Sequence, residues 1–268
     1  MSNRNSLSLG DRMKKYEEAI DFKLNPCMQY IIRLDGKGFS KMIKKWKCEK
    51  PFDERFNKAM NYASKKLFDM VPNIKAIWHG SDEISIWFQC PNAEDMYFEG
   101  RIQKLVSLTA SQASVYFNQK LQELFNDNTL PFGIFDSRLL QLPNEMEVSN
   151  YFIFRQRDHI RNSISGYAQY YFSHKELIKK NSDEKLEMLS TTGISYEDEI
   201  KSKLWSKYGT LLYKDIFDIE KDTGERYQRT YIKSNEAFEF TPCKFGIILY
   251  TCTQYITEEE WKQIKDES

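Results

Sequence analysis

Two acidic residues, Asp35 and Asp82, have the type and setting of a phosphoryl-transfer site. Asp35 follows a short apolar run that predicts a buried strand, and Asp82 lies in a Gly-Ser-Asp turn 47 residues later. Two ionised carboxylates about 4 Å apart repel each other by roughly 4 kcal/mol at an effective dielectric constant near 20, so such a pair requires a shared proton or a divalent cation. Because only oxygen ligands are available, Mg²⁺ is the expected ion, and paired Mg²⁺ ions catalyse phosphoryl and nucleotidyl transfer.

The glycine after Asp35 and the lysines that follow it fit the same chemistry. Gly36 would let the backbone carbonyl approach a metal or a phosphate without interference from a Cβ atom. Between residues 37 and 50 there are six lysines against one glutamate, although most of them are more simply explained as a solvated helix face. Taken singly, Asp35 and Asp82 are also ordinary turn residues. The site therefore depends on a fold that brings the two aspartates together.

The hydrophobic pattern over the first 140 residues predicts a fold of this kind. The predicted elements are a helix over Met13–Phe22, a strand over Cys27–Leu34, a helix over Phe52–Phe68, a hairpin of Ile74–Trp78 and Glu83–Phe88, a helix over Met96–Leu124 and a strand over Phe132–Leu140. The order β-α-β-β-α-β is the ferredoxin-like unit, an antiparallel four-stranded sheet with strands one and three at its centre and both helices on one face. In this topology Asp35 and Asp82 meet at one edge of the sheet.

The second half of the chain has the pattern of a helical and β-stranded extension. Helices are predicted over Val148–Phe172, Ser173–Lys180 and Ser182–Leu189, strands over Leu211–Ile219, Tyr227–Lys233 and Phe245–Cys252, a turn over 222–224 and a short capped helix from Thr257. No repeat or low-complexity linker separates the two halves. We therefore expect an α+β protein with a catalytic region over residues 1–142 and an extension over 143–268 that packs against it as one continuous structure.

The composition excludes several classes of protein. Lys plus Arg and Asp plus Glu both number 39 among the 268 residues, which excludes a globally basic nucleic-acid coat. Five cysteines without a Cys-x-x-Cys pair argue against a disulfide framework or a cysteine zinc site and favour a reducing, cytoplasmic location. No apolar run is long enough for a signal peptide or a membrane span, and the motifs of Walker ATPases, dinucleotide enzymes and serine hydrolases are missing.

Four motifs resemble, in order and spacing, those of the tRNA-histidine guanylyltransferase family. They are Arg33-Leu-Asp-Gly-Lys-Gly-Phe39, Gly80-Ser-Asp-Glu83, Phe135-Asp-Ser-Arg138 and Phe154-Arg-Gln-Arg-Asp158. These enzymes are 3′–5′ nucleotide polymerases whose catalytic domain is similar to the palm of DNA polymerases and nucleotide cyclases. The resemblance covers about residues 12–180. It implies a polymerase-palm fold, two Mg²⁺ ions, tRNA as a partner, and ATP with GTP or other nucleoside triphosphates as substrates.

The resemblance also implies roles for individual residues. Asp35, the Gly36 carbonyl and Asp82 would bind both Mg²⁺ ions, and Arg33 and Lys50 would act as catalytic residues when the 5′ end is activated. The residues expected to contact the nucleotide are Asp35, Gly36, Lys37, Gly38, Phe39, Ser40, Ser81 and Asp82, with Arg101 and Lys104 as an Arg-x-x-Lys triphosphate clamp. The segment between residues 155 and 180 holds six Lys and Arg against two acids. It is expected to bind tRNA through Arg155, Arg157, Arg161, Asn162, His174 and Lys175.

One departure distinguishes branches of the family. Eukaryotic-type enzymes carry His-Ile-Asn-Asn-Leu-Tyr-Asn where this chain has Ile160-Arg-Asn-Ser-Ile-Ser-Gly166. This segment and Phe172-Ser-His-Lys-Glu-Leu177 resemble the sequences of the bacterial guanylyltransferase-like branch. That branch is associated with template-directed repair of 5′-truncated tRNAs. We expect that activity, with G addition to histidine tRNA as a second one to be tested. The family also implies a homotetramer whose subunits combine their basic faces on one tRNA.

Two other functions remain open on the sequence alone. Gly-Ser-Asp-Glu is close to the Gly-Gly-Asp-Glu of nucleotide cyclases, which would form cyclic or dimeric products from nucleoside triphosphates without tRNA. RNA-recognition domains share the βαββαβ order but need aromatic side chains exposed on the central strands, for which Tyr30 and Trp87 are the candidates. Such a non-catalytic module would bind RNA without Mg²⁺ and without turnover.

Overall fold

One sheet organises the fold, and the computed structural model describes the chain over residues 7–90, 92–221, 223–241 and 253–257, with residues 259 and 262. Its strands are β1 (Gln29–Gly36), β2 (Ile74–Gly80), β3 (Glu83–Gln89), β4 (Phe135–Leu142), β5 (Thr210–Glu220), β6 (Arg226–Asn235) and β7 (Thr253–Thr257). They lie in the order β4-β1-β3-β2-β5-β6, and β7 pairs with the C-terminal half of β5. Neighbouring strands are antiparallel except for β5 and β7.

Helices cover both faces of this sheet. They are α1 (Leu9–Glu18), α2 (Phe39–Lys45), α3 (Glu54–Met70), α4 (Ile102–Phe125), α5 (Glu145–Tyr171), α6 (His174–Leu177), α7 (Ser182–Thr191), α8 (Tyr196–Ile200) and α9 (Trp205–Tyr208). Two 3₁₀ turns, Ala93–Asp95 and Tyr97–Gly100, precede α4. Among the helices of the described part, none combines the length and apolar composition needed to cross a bilayer.

The ferredoxin-like arrangement predicted from the sequence is confirmed. β1 and β3 are the central pair of the β4-β1-β3-β2 unit, and β2 and β3 form the expected hairpin. One face of β1 presents Ile32 and Leu34 to the core beneath α3 and α4, while Ile31 packs beneath α5 on the other face. Because both faces of the central strands are covered, their sequences are nearly continuous apolar runs.

The extension continues the same sheet. Thr210–Glu220 pairs with β2 through its first residues and with β6 along its length, so the strands predicted over Leu211–Ile219 and Tyr227–Lys233 are confirmed. The strand predicted over Phe245–Cys252 lies outside the described residues. The helix predicted from Thr257 does not begin there, because Thr257 is the last residue of β7; beyond it the structure describes Glu259 and Lys262, and both are helical.

Three local differences have identifiable causes. Asp35 and Gly36 belong to β1 rather than to a turn, and the seven-residue helix α2 follows them, beginning after Gly38 in a left-handed conformation (φ 69°). Helix α4 begins at Ile102 instead of Met96, because Phe98 and Glu99 adopt positive φ angles of 51° and 54°. Helices α8 and α9 were not predicted, since five and four residues are too few to show a helical period.

A buried amide holds the chain that leads into β4. The Asn118 side chain on α4 accepts a hydrogen bond from the Gly133 N–H and donates one to the Gly133 carbonyl, both at 2.7 Å. The next carbonyl, that of Ile134, accepts from the Lys37 N–H at 2.8 Å just beyond β1. Asn118 therefore fixes a loop that in turn contacts the end of the strand carrying Asp35.

We predict that Asn118→Ala lowers the free energy of unfolding by about 2–4 kcal/mol, because it leaves two buried peptide groups without partners. Urea unfolding followed by circular dichroism measures the change. The adjacent exposed residue provides the control, since Gln119→Ala should change stability by less than about 0.5 kcal/mol. Equal stability of Asn118→Ala and the wild type would show that the Gly133 peptide is satisfied in another way.

Candidate active site

The register of the sheet brings Asp35 and Asp82 to the same edge. Asp35 is the Cα partner of Glu83, so Asp82 lies one position further along, opposite Gly36. The Gly36 N–H donates to the Asp82 carbonyl at 3.0 Å. A Cβ atom built on Gly36 would lie 2.9 Å from the Asp82 Cβ. Two residues far apart in the chain are thus direct neighbours across a backbone hydrogen bond.

The electrostatic environment of the two aspartates favours a bound cation. Burial raises the pKa of Asp82 above its usual value, and the charges of Asp35 and Glu83 raise it further. Burial also raises the pKa of Asp35, where Glu83 and Asp136 add to the effect and Arg33 opposes it. Both ionised forms are therefore destabilised in the absence of a positive charge between them.

Glu83 has a counter-ion of its own. The Arg155 guanidinium donates two hydrogen bonds to its carboxylate, one from Nε at 2.8 Å and one from Nη2. The Ser85 hydroxyl donates to the same carboxylate at 3.1 Å and lies 2.9 Å from the Tyr151 hydroxyl. Burial raises the pKa of Tyr151 to about 12, so this hydroxyl remains protonated. The charge of Glu83 is therefore compensated by Arg155 on α5, whereas none of these hydrogen bonds reaches Asp82.

The donor set suits a metal that arrives with phosphates. Asp35 and Asp82 supply carboxylates beside the Gly36 carbonyl, and within the described ranges no cluster of three or more His, Cys, Asp or Glu side chains is arranged to hold a metal. Mg²⁺ is commonly held by one or two carboxylates, with substrate phosphates and waters completing its octahedron. The residues present therefore fit Mg²⁺ bound together with a nucleotide better than a metal caged by protein alone.

Gly36 is required by the close approach of three elements. Its hypothetical Cβ would lie 2.6 Å from Cγ of Phe39 as well as 2.9 Å from the Asp82 Cβ. Phe39 is only 1% exposed and packs on the rings of Trp46, Phe117 and Phe135 at centroid distances of 5.1–5.3 Å. Phe39 was expected to contact the nucleotide, but its side chain is buried in the core and is not available for that contact. Of its neighbours, Lys37, Gly38 and Ser40 are exposed at the edge.

Arg33, Ser81 and Lys50 also lie close to this edge. Arg33 Nε lies 3.8 Å from a Glu83 carboxylate oxygen, and no acceptor in the described part of the chain hydrogen-bonds to it. The exposed Ser81 donates to Asp82 Oδ1 at 3.2 Å. A cavity of about 100 Å³ is lined by Ser81 and by both chain neighbours of Lys50, which places the exposed Lys50 beside the hairpin.

The structure does not bring Arg101 and Lys104 to this edge. The Ile102 N–H donates to the Phe22 carbonyl, so α4 begins near the start of β1, whereas Asp35 lies near its end. Further along α4, the Ser114 hydroxyl accepts a hydrogen bond from the N–H of Phe135, which is the strand partner of Gly36. The helix from Ile102 to Ser114 is about 18 Å long, so its first turn lies about that far from the level of Gly36. Arg101 instead pairs with Asp21 at 3.3 Å and Glu99 at 3.6 Å. Within one chain, these residues cannot clamp a triphosphate held by Asp82.

The residues expected to bind tRNA differ in their availability. Arg157, Arg161, Asn162, His174 and Lys175 are all exposed on α5 and α6. Arg155 is not, because its guanidinium is half-buried against Glu83. The sequence did not reveal this pairing, although the Glu-Ile-Ser-Ile pattern of β3 places two polar residues, Glu83 and Ser85, on the same face of an apolar strand.

The aromatic side chains of the central strands are not available to RNA. Tyr30 and Trp87 are both completely buried, and Trp87 donates from its indole nitrogen to Gln29 at 2.8 Å. A four-stranded RNA-recognition sheet binds bases through exposed rings at such positions. The RNA-binding module considered from the sequence therefore lacks its binding surface here.

Comparison with known proteins agrees with this geometry. The family model described as Thg1, tRNAHis guanylyltransferase, matches residues 10–143. A tRNA(His) guanylyltransferase of Debaryomyces hansenii is 32% identical over 220 residues, which cover 77% of this chain and 80% of that protein.

Two solved structures of bacterial tRNA(His) guanylyltransferase (Thg1)-like protein are also similar. The complex with ATP superposes with a TM-score of 0.70 at 35% identity, covering 83% of this chain and 92% of that one. The complex with GTP gives 0.69 at 32% identity, covering 87% and 93%. The chain therefore belongs to the tRNA(His) guanylyltransferase (Thg1) family, in its bacterial Thg1-like branch, and is a nucleotidyltransferase.

Proposed function

We propose that this enzyme adds nucleotides in the 3′–5′ direction to the 5′ end of tRNA, directed by the opposite strand, and so repairs truncated tRNAs. The tRNA 5′-monophosphate first attacks the α-phosphate of ATP, which forms a 5′-adenylylated end and releases pyrophosphate. The 3′-hydroxyl of the incoming nucleoside triphosphate then attacks the activated phosphate and expels AMP. A tRNA that already carries a 5′-triphosphate needs no activation and releases pyrophosphate. The observation that carries this proposal is the convergence of Asp35 and Asp82, with raised pKa values, at one edge of the sheet.

The chain's own residues divide the work of this reaction. Asp35, Asp82 and the Gly36 carbonyl would hold two Mg²⁺ ions, which when bound activate the attacking hydroxyl and neutralise phosphate charge. Lys37 and Ser81, exposed on either side of the aspartates, would orient the nucleotide together with Gly38 and Ser40. Arg33 and Lys50 would contact the 5′ end during its activation.

The similarity to bacterial Thg1-like proteins supports repair as the main activity. The structures that superpose on this chain are complexes of such proteins with ATP and with GTP. The departure from the eukaryotic-type segment over residues 160–166 points in the same direction, with G addition to histidine tRNA as a second activity to measure. Family membership disfavours a cyclase, because the matching family and the Debaryomyces hansenii relative are named as tRNA(His) guanylyltransferases.

The partners follow from the charge distribution. The tRNA backbone would contact exposed polar and basic residues on α5 and α6, which are Arg157, Arg161, Asn162, His174 and Lys175. Because the whole chain has equal numbers of acidic and basic residues, we propose that a homotetramer combines several such faces on one tRNA in the cytoplasm. A monomeric, fully active enzyme would contradict the tetramer.

The function is tested by nucleotide addition to a tRNA that lacks its first residue, with the products sequenced. We expect the added base to complement the opposite strand, and we expect Asp35→Asn and Asp82→Asn to lower the rate by at least about 10²–10³-fold. Asp69→Asn, on the exposed face of α3, is the matched control and should keep full activity. Addition of one fixed base whatever the template, or full activity of both site variants, would contradict the proposal.

The raised pKa of Asp82 predicts a gain in stability when its charge is removed. Because the folded-state pKa exceeds the unfolded one, ionisation of Asp82 destabilises the fold as the pH rises through the folded value. In EDTA at pH 8, Asp82→Asn should raise the free energy of unfolding by about 1 kcal/mol, and this gain should shrink as the pH falls through the raised folded-state pKa and be nearly absent below about pH 4.

Thermal unfolding with and without Mg²⁺ and GTP gives a second readout for the same variant. The wild type should gain stability on addition of both ligands, whereas Asp82→Asn should gain less. A variant that is less stable than the wild type in EDTA would show that the Asp82 charge stabilises the fold.

Gly36→Ala should lower the rate of nucleotide addition by about 10²-fold, because a methyl group there displaces either Phe39 or Asp82. Steady-state kinetics measures the loss. Gly10→Ala in α1 is the control, since its added Cβ would meet only Ser8 Oγ at 3.7 Å and should leave the rate unchanged. Normal kinetics of Gly36→Ala would mean that the site tolerates a wider spacing.

A further inference from the structure

One exposed aromatic side chain on α5 has no role in the core. Phe154 is 56% exposed, although its neighbour Phe152 is completely buried beneath the sheet. A single exposed apolar side chain needs no partner by itself, so the surroundings of this ring decide whether it can bind a ligand. The question is what lies within reach of this ring.

The course of α5 places Phe154 at the catalytic edge. The helix packs on the sheet through Val148 and Phe152, and Tyr151 reaches Ser85 on β3. One turn later Arg155 reaches Glu83, the residue that follows Asp82. Phe154 immediately precedes Arg155, and its ring lies beside the guanidinium that Glu83 holds, which places the ring near the catalytic edge.

The ring is supported on one side by a held cation. The Arg155 guanidinium carbon lies 5.2 Å from the centroid of the Phe154 ring. Arg155 is itself fixed by its two hydrogen bonds to Glu83. A cation over an aromatic face stabilises it electrostatically, while the exposed part of the ring remains free to stack on a planar ligand.

Two exposed arginines share the helix face of Phe154. Arg157 and Arg161 follow it at i+3 and i+7, which places all three side chains on one side of the helix. Guanidinium groups at such spacing suit the phosphates of a nucleic-acid strand, and the row begins with the aromatic ring, which lies beside the arginine that Glu83 holds. A strand that follows the arginines would therefore end at the ring.

We propose that Phe154 stacks on the terminal nucleobase of the RNA acceptor helix and so positions the 5′ end beside Asp35 and Asp82. This inference rests on the proposed function. Terminal bases of RNA stack on aromatic side chains because each base has an exposed face at the end of a helix. The same chemistry exists in the base of the incoming nucleotide, but the row of arginines favours the RNA end.

The test compares Phe154→Ala and Phe154→Leu, which remove the ring, with Phe154→Trp, which keeps one. Phe22→Ala is the matched control, because Phe22 is 69% exposed and lies at the opposite end of the sheet next to Ile102. The RNA is an acceptor-stem hairpin lacking its first 5′ nucleotide, with 2-aminopurine as the unpaired terminal base. Its fluorescence reports stacking without any requirement for catalysis.

We expect the wild type and Phe154→Trp to quench 2-aminopurine and Phe154→Ala and Phe154→Leu not to do so. Loss of the ring should raise the KM for the hairpin by about tenfold or more, with the KM for the nucleoside triphosphate and kcat changed less than about threefold. Phe22→Ala should behave as the wild type. Unchanged quenching and KM for RNA in the ring-deleted variants, or a change confined to the KM for nucleoside triphosphate, would overturn the proposal.

The fluorescence measurement separates this inference from the proposed function. If the wild type quenches the terminal base and both ring deletions abolish quenching, the stacking contact is real even where no nucleotide is added. If the wild type adds nucleotides but never quenches the base, the function holds and the contact proposed for Phe154 is wrong.

Discussion

Repulsion between carboxylates at one sheet edge is the constraint on which the rest of the structure depends. Asp35, Asp82 and Glu83 place three acidic groups where one strand ends and a hairpin turns. Of these three, Glu83 is the one that forms two hydrogen bonds with a half-buried guanidinium, that of Arg155. The pKa values of the two aspartates are raised by burial and by the neighbouring charges. Ionisation of the two aspartates is therefore disfavoured without a neighbouring positive charge, and a divalent cation bound with a nucleotide would compensate it.

The surrounding elements oppose this repulsion. The β1–β3 ladder and the hydrogen bond from Gly36 to the Asp82 carbonyl hold the backbone, and the absence of a side chain on Gly36 lets Phe39 pack directly beneath. Phe39 joins an aromatic cluster with rings from α3, α4 and β4, so displacement of the site would disturb the main core. The repulsion between the neighbouring carboxylates is thus offset by packing in the main core, away from the edge itself.

The topology could be predicted from the sequence because most helices and strands are long enough to show a hydrophobic period between turn residues. That topology was sufficient to predict that Asp35 and Asp82 are neighbours. The sequence predicted the wrong setting for Arg101 and Lys104, since an i, i+3 pair does not reveal at which end of the sheet its helix begins. The partner of Arg155 and the burial of Phe39 were also missed, because a motif names residues without showing where their side chains point. The lysines after Gly36 were interpreted as a solvated helix face, but the bounds of α2 were not predicted, because its seven residues are too few to show a clear helical period.

The central claim is that Asp35 and Asp82 jointly hold the divalent cations that accompany the nucleotide. Anomalous diffraction from crystals soaked with Mn²⁺ and GTP tests this most directly, since Mn²⁺ replaces Mg²⁺ on oxygen ligands and scatters strongly enough to be located. The account predicts anomalous peaks within about 2–2.5 Å of carboxylate oxygens from both aspartates. Peaks that contact phosphates but neither aspartate would contradict it.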